Sequence, residues 1–174
     1  MVEIIKSQLV VPSEETPNTS LWVSNLDLAA RRGYTPTVYF YRANTDPNFF
    51  SVETLTSSLA KALVRFYPFA GRLGADPSGR IEINCNGEGT LFVVARSDMT
   101  LDEFNDFAPS AEMRNMFVPP AGSPDPPCIL LMLQVIICQS EILTLYTTVH
   151  IKKFPIILRY KNTKCNKFME NEHL

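Results

Sequence analysis

Hydrophobic positions along the chain change period several times, and each change predicts an element. From residue 2 to residue 12, VEIIKSQLVVP alternates imperfectly between β-branched and polar residues and ends at Pro12, which suits an edge strand. PTVYFYRA (36–43) is a second strand by its aromatic and β-branched content. Between them, SLWVSNLDLAARR (20–32) predicts a short helical turn after Asn25 with Gly33 as its stop. The period then shifts to that of a helix over 51–67, where Val52, Leu55, Leu59, Ala62, Leu63 and Phe66 recur at spacings of three and four. Ser51 is placed to cap this helix, Glu53 faces the positive end of its dipole, and Pro68 stops it.

Period two returns after the turn signal DPSG (76–79). GRIEINCNG (79–87) and GTLFVVARS (89–97), separated by NGEG, predict a hairpin. LDEFNDF (101–107) reads as a short helix and VPPAGSPDPPC (118–128) as an irregular loop. ILLMLQVIICQSEILTLYTTVH (129–150) reads as two strands with a turn near Gln139–Glu141. The expected fold class is α/β, mixed α+β, with a mixed sheet and flanking helices.

Composition narrows the function. With 174 residues, 20% charge and a net charge of -2, the chain lacks the basic excess of a nucleic-acid binder, and no nucleic-acid partner is expected. The start, MVEIIKSQLVVPSEETP, has no basic, unbroken apolar signal segment, so a cytoplasmic location is expected. CILLMLQVIIC (128–138) is interrupted by Gln134 and falls short of the roughly 20 residues that cross a bilayer, so it is read as a buried strand and no membrane partner is expected. Cys85, Cys128, Cys138 and Cys165 have no CxxC spacing, which gives a metal site no support and suggests packed or surface thiols.

Character changes at residue 151. The last 24 residues hold six basic and two acidic side chains, a net of +4 against -6 for residues 1–150. They contain no Gly, Ala, Asp or Ser. A shift of this kind marks an interaction tail. It also fits translated non-coding sequence, because the residues that dominate it have A/T-rich codons, and that second origin is favoured. The expected division is therefore a domain over 1–150 and a basic, irregular tail over 151–174.

SLAKALVRFYPFAGRL (58–73) and GRIEINCNGEGTLFVVA (79–95), with SNLDL (24–28) and DFAPS (106–110), resemble the N-terminal half of the plant BAHD acyl-CoA-dependent acyltransferases. The likeness is greatest to the hydroxycinnamoyl-CoA shikimate/quinate hydroxycinnamoyltransferases. It implies one half of a chloramphenicol acetyltransferase-like fold, an acyl-CoA co-substrate with no bound cofactor, and a small alcohol acceptor such as shikimate or quinate. It also implies a strand leading into an HxxxD motif, and His150 matches the first, catalytic histidine of that motif. The rest departs: Ile151 stands at the second position, Phe154 where the aspartate belongs, and Pro155 where a glycine follows. The second family signature, DFGWG, is not in the sequence.

The family reaction is attack of an alcohol or amine on a thioester carbonyl, and an imidazole with a pKa near 6.5 suits the general base it needs. The resemblance implies that the motif's aspartate orients the loop, so Phe154 is expected to endanger the placement of His150 more than its basicity. A misplacement of about 1 Å can cost roughly 10²-fold in rate. This chain, truncated at the motif, is expected to be inactive, or to act as a non-catalytic fragment that associates with a full-length relative through an exposed sheet edge. By the same resemblance Thr35 and Pro36 face the substrate channel. Taken on its own, His150 reads as a surface or packing residue and His173 as solvated. FYPFAGRL (66–73) reads as packing, with Gly71 freeing a turn; Trp22 reads as packed, and Arg72 and Arg80 as solvated.

Overall fold

A computed structural model describes residues 2–29, 34–42, 50–98, 111–119, 127–138 and 142–149. Among the described residues nine strands form two sheets. The larger has the order β1 (Val2–Val10), β6 (Thr90–Ser97), β8 (Leu131–Cys138), β9 (Ile142–Val149), β3 (Thr35–Arg42). Only the central β6–β8 pair is parallel; β1–β6, β8–β9 and β9–β3 are antiparallel. The smaller has the order β2 (Ser20–Trp22), β5 (Ile81–Asn84), β4 (Arg72–Ala75), β7 (Cys128–Ile129).

The helices follow from local chemistry. In α2 (Val52–Arg65) the Ser51 hydroxyl accepts the Thr54 N–H at 3.1 Å, which satisfies one of the orphan donors of the first turn. The helix ends on Phe66, whose N–H donates to the Ala62 carbonyl, and a 3-10 turn over Tyr67–Ala70 follows, with Pro68 in its first positions. The 51–67 expectation thus holds with the last residues tightened into that turn. In α1 (Asn25–Ala29) the Ser24 hydroxyl accepts the Asp27 N–H and donates to the buried Asp27 carboxylate at 2.6 Å. The local SNLD order builds this N-terminal cap.

Alternation decides which face each strand buries. Phe92 and Val94 of β6, with Val10 and Val135, pack against Leu63 and Leu59 of α2 on one face of the larger sheet. Ala95 and Ile136 face the other way, onto Phe117 of α3 (Ala111–Phe117), whose ring meets Phe40 of β3 edge-on at 6.3 Å. Because β6 is covered on both faces, it reads as a nearly continuous apolar run. The Gln134 amide is buried in β8 and donates to the Met116 and Phe117 carbonyls, tying down the C-terminal end of α3. A third cluster, Val23, Tyr67, Leu73, Ile83, Cys85, Cys128 and Leu130, backs the smaller sheet.

Several expectations need correction. GRIEINCNG and GTLFVVARS do not form a hairpin: β5 belongs to the smaller sheet and β6 to the larger. The hairpin is β4–β5 about DPSG, where the Asp76 carboxylate accepts the Ser78 and Arg80 N–H groups. Across NGEG, Gly89 sits at φ +100°, and a Cβ there would lie 2.7 Å from the Val10 carbonyl oxygen, so the chain uses that glycine to switch sheets. The strands β2, β4 and β7 and helix α3 were not anticipated from the pattern. The 101–107 helix, most of the 118–128 loop, the 139–141 turn and Gly33 lie outside the described residues.

One glycine and two arginines also behave differently from expectation. Gly71 has φ -90° and ψ -161°, an extended conformation open to any residue, so it does not free a turn. It is required by proximity, because a Cβ would lie 2.2 Å from the Asn84 carbonyl oxygen. Arg72 is buried, not solvated: its Nη1 donates to the Gly71 and Gly89 carbonyls at 2.8 and 2.7 Å, and its Nε meets the Glu88 carboxylate at 2.9 Å. Arg80 lies 4.7 Å from the ring centre of Trp22 and donates to the Val23 carbonyl and Asn25 Oδ1. Trp22 is not a packed core residue, being 63% exposed.

Candidate functional site

The two expected substrate-side positions, Thr35 and Pro36, lie at one corner of the larger sheet, at the start of β3. Thr35 pairs with Val149, and Pro36 with Thr148, on one side of β9. On the other side Leu131 pairs with the same Val149. The backbone of Thr35, Val149 and Leu131 therefore forms one row across three strands, and position 150 is the next residue after that row. The two expected substrate-side positions thus lie beside the end of the strand that leads to the expected histidine. Pro36 is exposed there. His150 itself, and the HIKKFP run that follows from it, lie outside the described residues, as does His173.

A residue that sequence reasoning passed over closes this corner. The Tyr34 hydroxyl donates to the Ile129 carbonyl at 3.2 Å, across 95 residues of chain. Ile129 belongs to β7 of the smaller sheet and stands two residues before β8 begins. Tyr34 therefore ties the start of β3 to the lead-in of β8, the two strands that flank β9. Burial, with a lesser repulsion from Cys128, pushes the Tyr34 phenol up to about 12, so it stays a protonated donor at neutral pH. Nothing in the local sequence signals this role, since the partner is a main-chain carbonyl on a distant strand. The only hint was adjacency to Thr35 and Pro36.

The other polar groups serve the scaffold. Arg72 spends its guanidinium on two carbonyls and Glu88, and burial pushes the Cys85 thiol up to about 11, away from nucleophilic use. Cys85, Cys128 and Cys138 carry no disulfide. Among the described residues no group of three or more His, Cys, Asp or Glu side chains is arranged to hold a metal ion, and no helix is long and apolar enough to cross a membrane.

Comparison with known proteins gives this corner its context. The sequence model of the Transferase family matches residues 1–138. Putrescine hydroxycinnamoyltransferase 2 of Oryza sativa subsp. japonica is 55% identical over 141 residues, covering 77% of this chain and 44% of that protein. Shikimate O-hydroxycinnamoyltransferase of Nicotiana tabacum is 52% identical over 115 residues, covering 66% of this chain and 26% of that protein. The chain thus spans less than half the length of the curated relatives it matches.

In structure it resembles vinorine synthase, with a TM-score of 0.62 and 25% identity over 87% of this chain and 38% of that one. It shares its fold with F. sporotrichioides TRI101, crystallised with coenzyme A and T-2, at a TM-score of 0.58 and 18% identity, over 86% of this chain and 39% of that one. The expected chloramphenicol acetyltransferase-like architecture of mixed sheets with few helices is what the strands form. The matched stretch ends twelve residues before His150, so the correspondence of that histidine to the motif rests on the resemblance of the strand and spacing. By the extent of the match and the shared sheet arrangement, the chain belongs to the Transferase family, the BAHD acyltransferases.

Proposed function

We propose that this chain is the N-terminal half of a hydroxycinnamoyltransferase, with a folded domain over 1–150 and a tail over 151–174 that stands outside the fold. The reaction is transfer of a hydroxycinnamoyl group from CoA to an alcohol such as shikimate or quinate, or to an amine such as putrescine. Identity of 55% with a putrescine hydroxycinnamoyltransferase is the observation that carries the reading. In a complete enzyme carrying the intact motif, the imidazole at position 150 takes the acceptor's proton as the new C–O or C–N bond forms at the thioester carbon. The C–S bond then breaks, and CoA leaves with a proton returned from the imidazolium. Thr35 and Pro36 are assigned to the substrate channel, in keeping with their register beside Val149 and Thr148 at the end of β9. The acyl-CoA is a co-substrate, and the site of action is the cytoplasm.

On this reading the chain with Phe154 and Pro155 does not turn over. Incubated with p-coumaroyl-CoA and shikimate or putrescine, it should release no free CoA above a protein-free blank. Sequencing transcripts across the codon of His150 tests the enzyme reading itself. A transcript that continues from this region into HxxxDG supports it, whereas transcripts that all encode HIKKFP would overturn it.

A second reading, a non-catalytic partner of a full-length relative, draws on the edge strand β1. Ile4, Ile5 and Leu9 are about half exposed there. Lys6 and the irregular register between Ile4 and Lys6 blunt that edge against indiscriminate pairing, so association would have to be specific.

A further inference from the structure

We propose that Asn86–Gly87 is a site of chemical modification: the folded chain converts Asn86 to aspartate and isoaspartate, and the product carboxylate loosens the clamp between Glu88 and Arg72. The inference is independent of the acyltransferase reading.

The sequence supplies the reacting pair. Asn86 is the only asparagine in the chain that is followed by glycine. With no Cβ on residue 87, no side chain shields its main-chain nitrogen from the Asn86 side-chain carbon. Asn86 is exposed, so water reaches the site.

The fold then polarises the amide. Asn86 Oδ1 accepts the Glu88 N–H at 3.2 Å, and Asn86 Nδ2 donates to Glu88 Oε1 at 2.6 Å. A main-chain N–H only donates and a carboxylate only accepts, so the two contacts fix which end of the amide is which. The Gly87 nitrogen gives its proton to hydroxide and attacks Cγ, forming an N–Cγ bond and pushing an electron pair onto Oδ1, where the Glu88 N–H already stands. The Cγ–Nδ2 bond then breaks. Nδ2 takes a proton from water and leaves as ammonia beside the Glu88 carboxylate, which favours the positive charge gathering on it. Water opens the resulting cyclic imide at Cγ to give aspartate, or at the main-chain carbonyl to give isoaspartate. The net change is one water consumed and one ammonia released.

Both products disturb a clamp. Glu88 holds Asn86 through one carboxylate oxygen and the buried Arg72 Nε through the other, at 2.9 Å. Modification replaces the donor at position 86 by a second anion, and Glu88 is repelled. Isoaspartate also lengthens the main chain by one carbon between two anchored points, since the Cys85 N–H donates to the Thr19 carbonyl and the Gly89 N–H to the Ala70 carbonyl. Gly89 has little room to shift, because even a Cβ there would lie 2.7 Å from the Val10 carbonyl oxygen.

The unmodified chain, held at pH 8 either folded or in unfolding urea, is sampled by peptide mass spectrometry with chromatography that separates aspartate from isoaspartate. Both acids should build up at Asn86 ahead of every other asparagine, and faster in the folded chain than in urea. Glu88→Gln should slow the folded reaction by about tenfold, the difference between a charged and a neutral hydrogen-bond partner. Asn86→Asp should lower the urea midpoint, and adding Glu88→Gln to it should restore most of the loss, because an amide at position 88 again supplies a donor. A slower reaction in the fold than in urea, an earlier change at another asparagine, or a midpoint for Asn86→Asp equal to that of the unmodified chain would each overturn the proposal. Should Glu88→Gln not fold, the comparison of folded with unfolded chain and the Asn86→Asp midpoint still decide.

Discussion

Replacing Gly71 by alanine separates two explanations of why a glycine stands in FYPFAGRL. If it served backbone freedom alone, alanine would be welcome, because φ -90° and ψ -161° suit any L-residue. Alanine at a compatible site stabilises by about 0.4–1 kcal/mol through the unfolded chain. The structure requires the opposite sign. The added Cβ would lie 2.2 Å from the Asn84 carbonyl oxygen, 3.0 Å from its carbon and 3.1 Å from the Cys85 Cα. All three are backbone atoms, so no side-chain rotation relieves the contact. The end of β5 must move by roughly 1 Å to restore ordinary contact distances. That movement strains the Cys85 N–H to Thr19 carbonyl bond at 2.9 Å and the Arg72–Asn84 pairing. Overpacking of this kind costs about 3 kcal/mol. At a slope of about 2 kcal/mol/M the urea midpoint should fall by about 1.5 M. Gly74→Ala is the control, because nothing lies within 4 Å of its added Cβ, and it should leave the midpoint level or raise it slightly. Equal midpoints for Gly71→Ala and the unmodified chain would refute the close-approach reasoning.

Two further predictions concern titration. The Tyr34 phenol is raised to about 12 in the folded chain against about 10 unfolded, so its contribution is intact below pH 10 and stability falls as pH rises between these values. Midpoints measured from pH 9 to 12 should show a loss that is smaller in Tyr34→Phe; an equal loss would remove Tyr34 as its source. Burial raises the Cys85 thiol to about 11 and leaves it 2% exposed, so at pH 8 iodoacetamide should label Cys138 well before Cys85. Mass spectrometry showing equal labelling rates at the two sites would contradict that placement.

Elements governed by neighbours along the chain were legible in the sequence. The α2 helix is set by Ser51 and a stripe at spacings of three and four, and the structure keeps both. β1 ends before Pro12 and takes the edge its sequence suggested, and β8 and β9 pair as read, with no glycine in the connecting QSE (139–141). The candidate site was legible only in part. The family resemblance pointed to Thr35, Pro36 and His150; the β3–β9 register places Thr35 and Pro36 beside Val149 and Thr148, while His150 lies outside the described residues. Tyr34 was invisible because a tyrosine beside a strand has no local mark of which carbonyl it will reach.

What tertiary structure alone decided is the pairing of strands and the meaning of close approaches. Alternation in GRIEINCNG and GTLFVVARS is satisfied by any partner that covers one face, so it could not say that β5 and β6 part into different sheets. Burial on both faces of β6 decided that, by drawing it between β1 and β8. Gly71 and Arg72 look like a turn and a surface charge in sequence. They become a contact point and a buried clamp because Asn84 and Gly89 are brought against them from 13 and 17 residues away. Local propensity acts over a helical turn or a hairpin, whereas the free energy of these contacts exists only after distant segments have closed on each other.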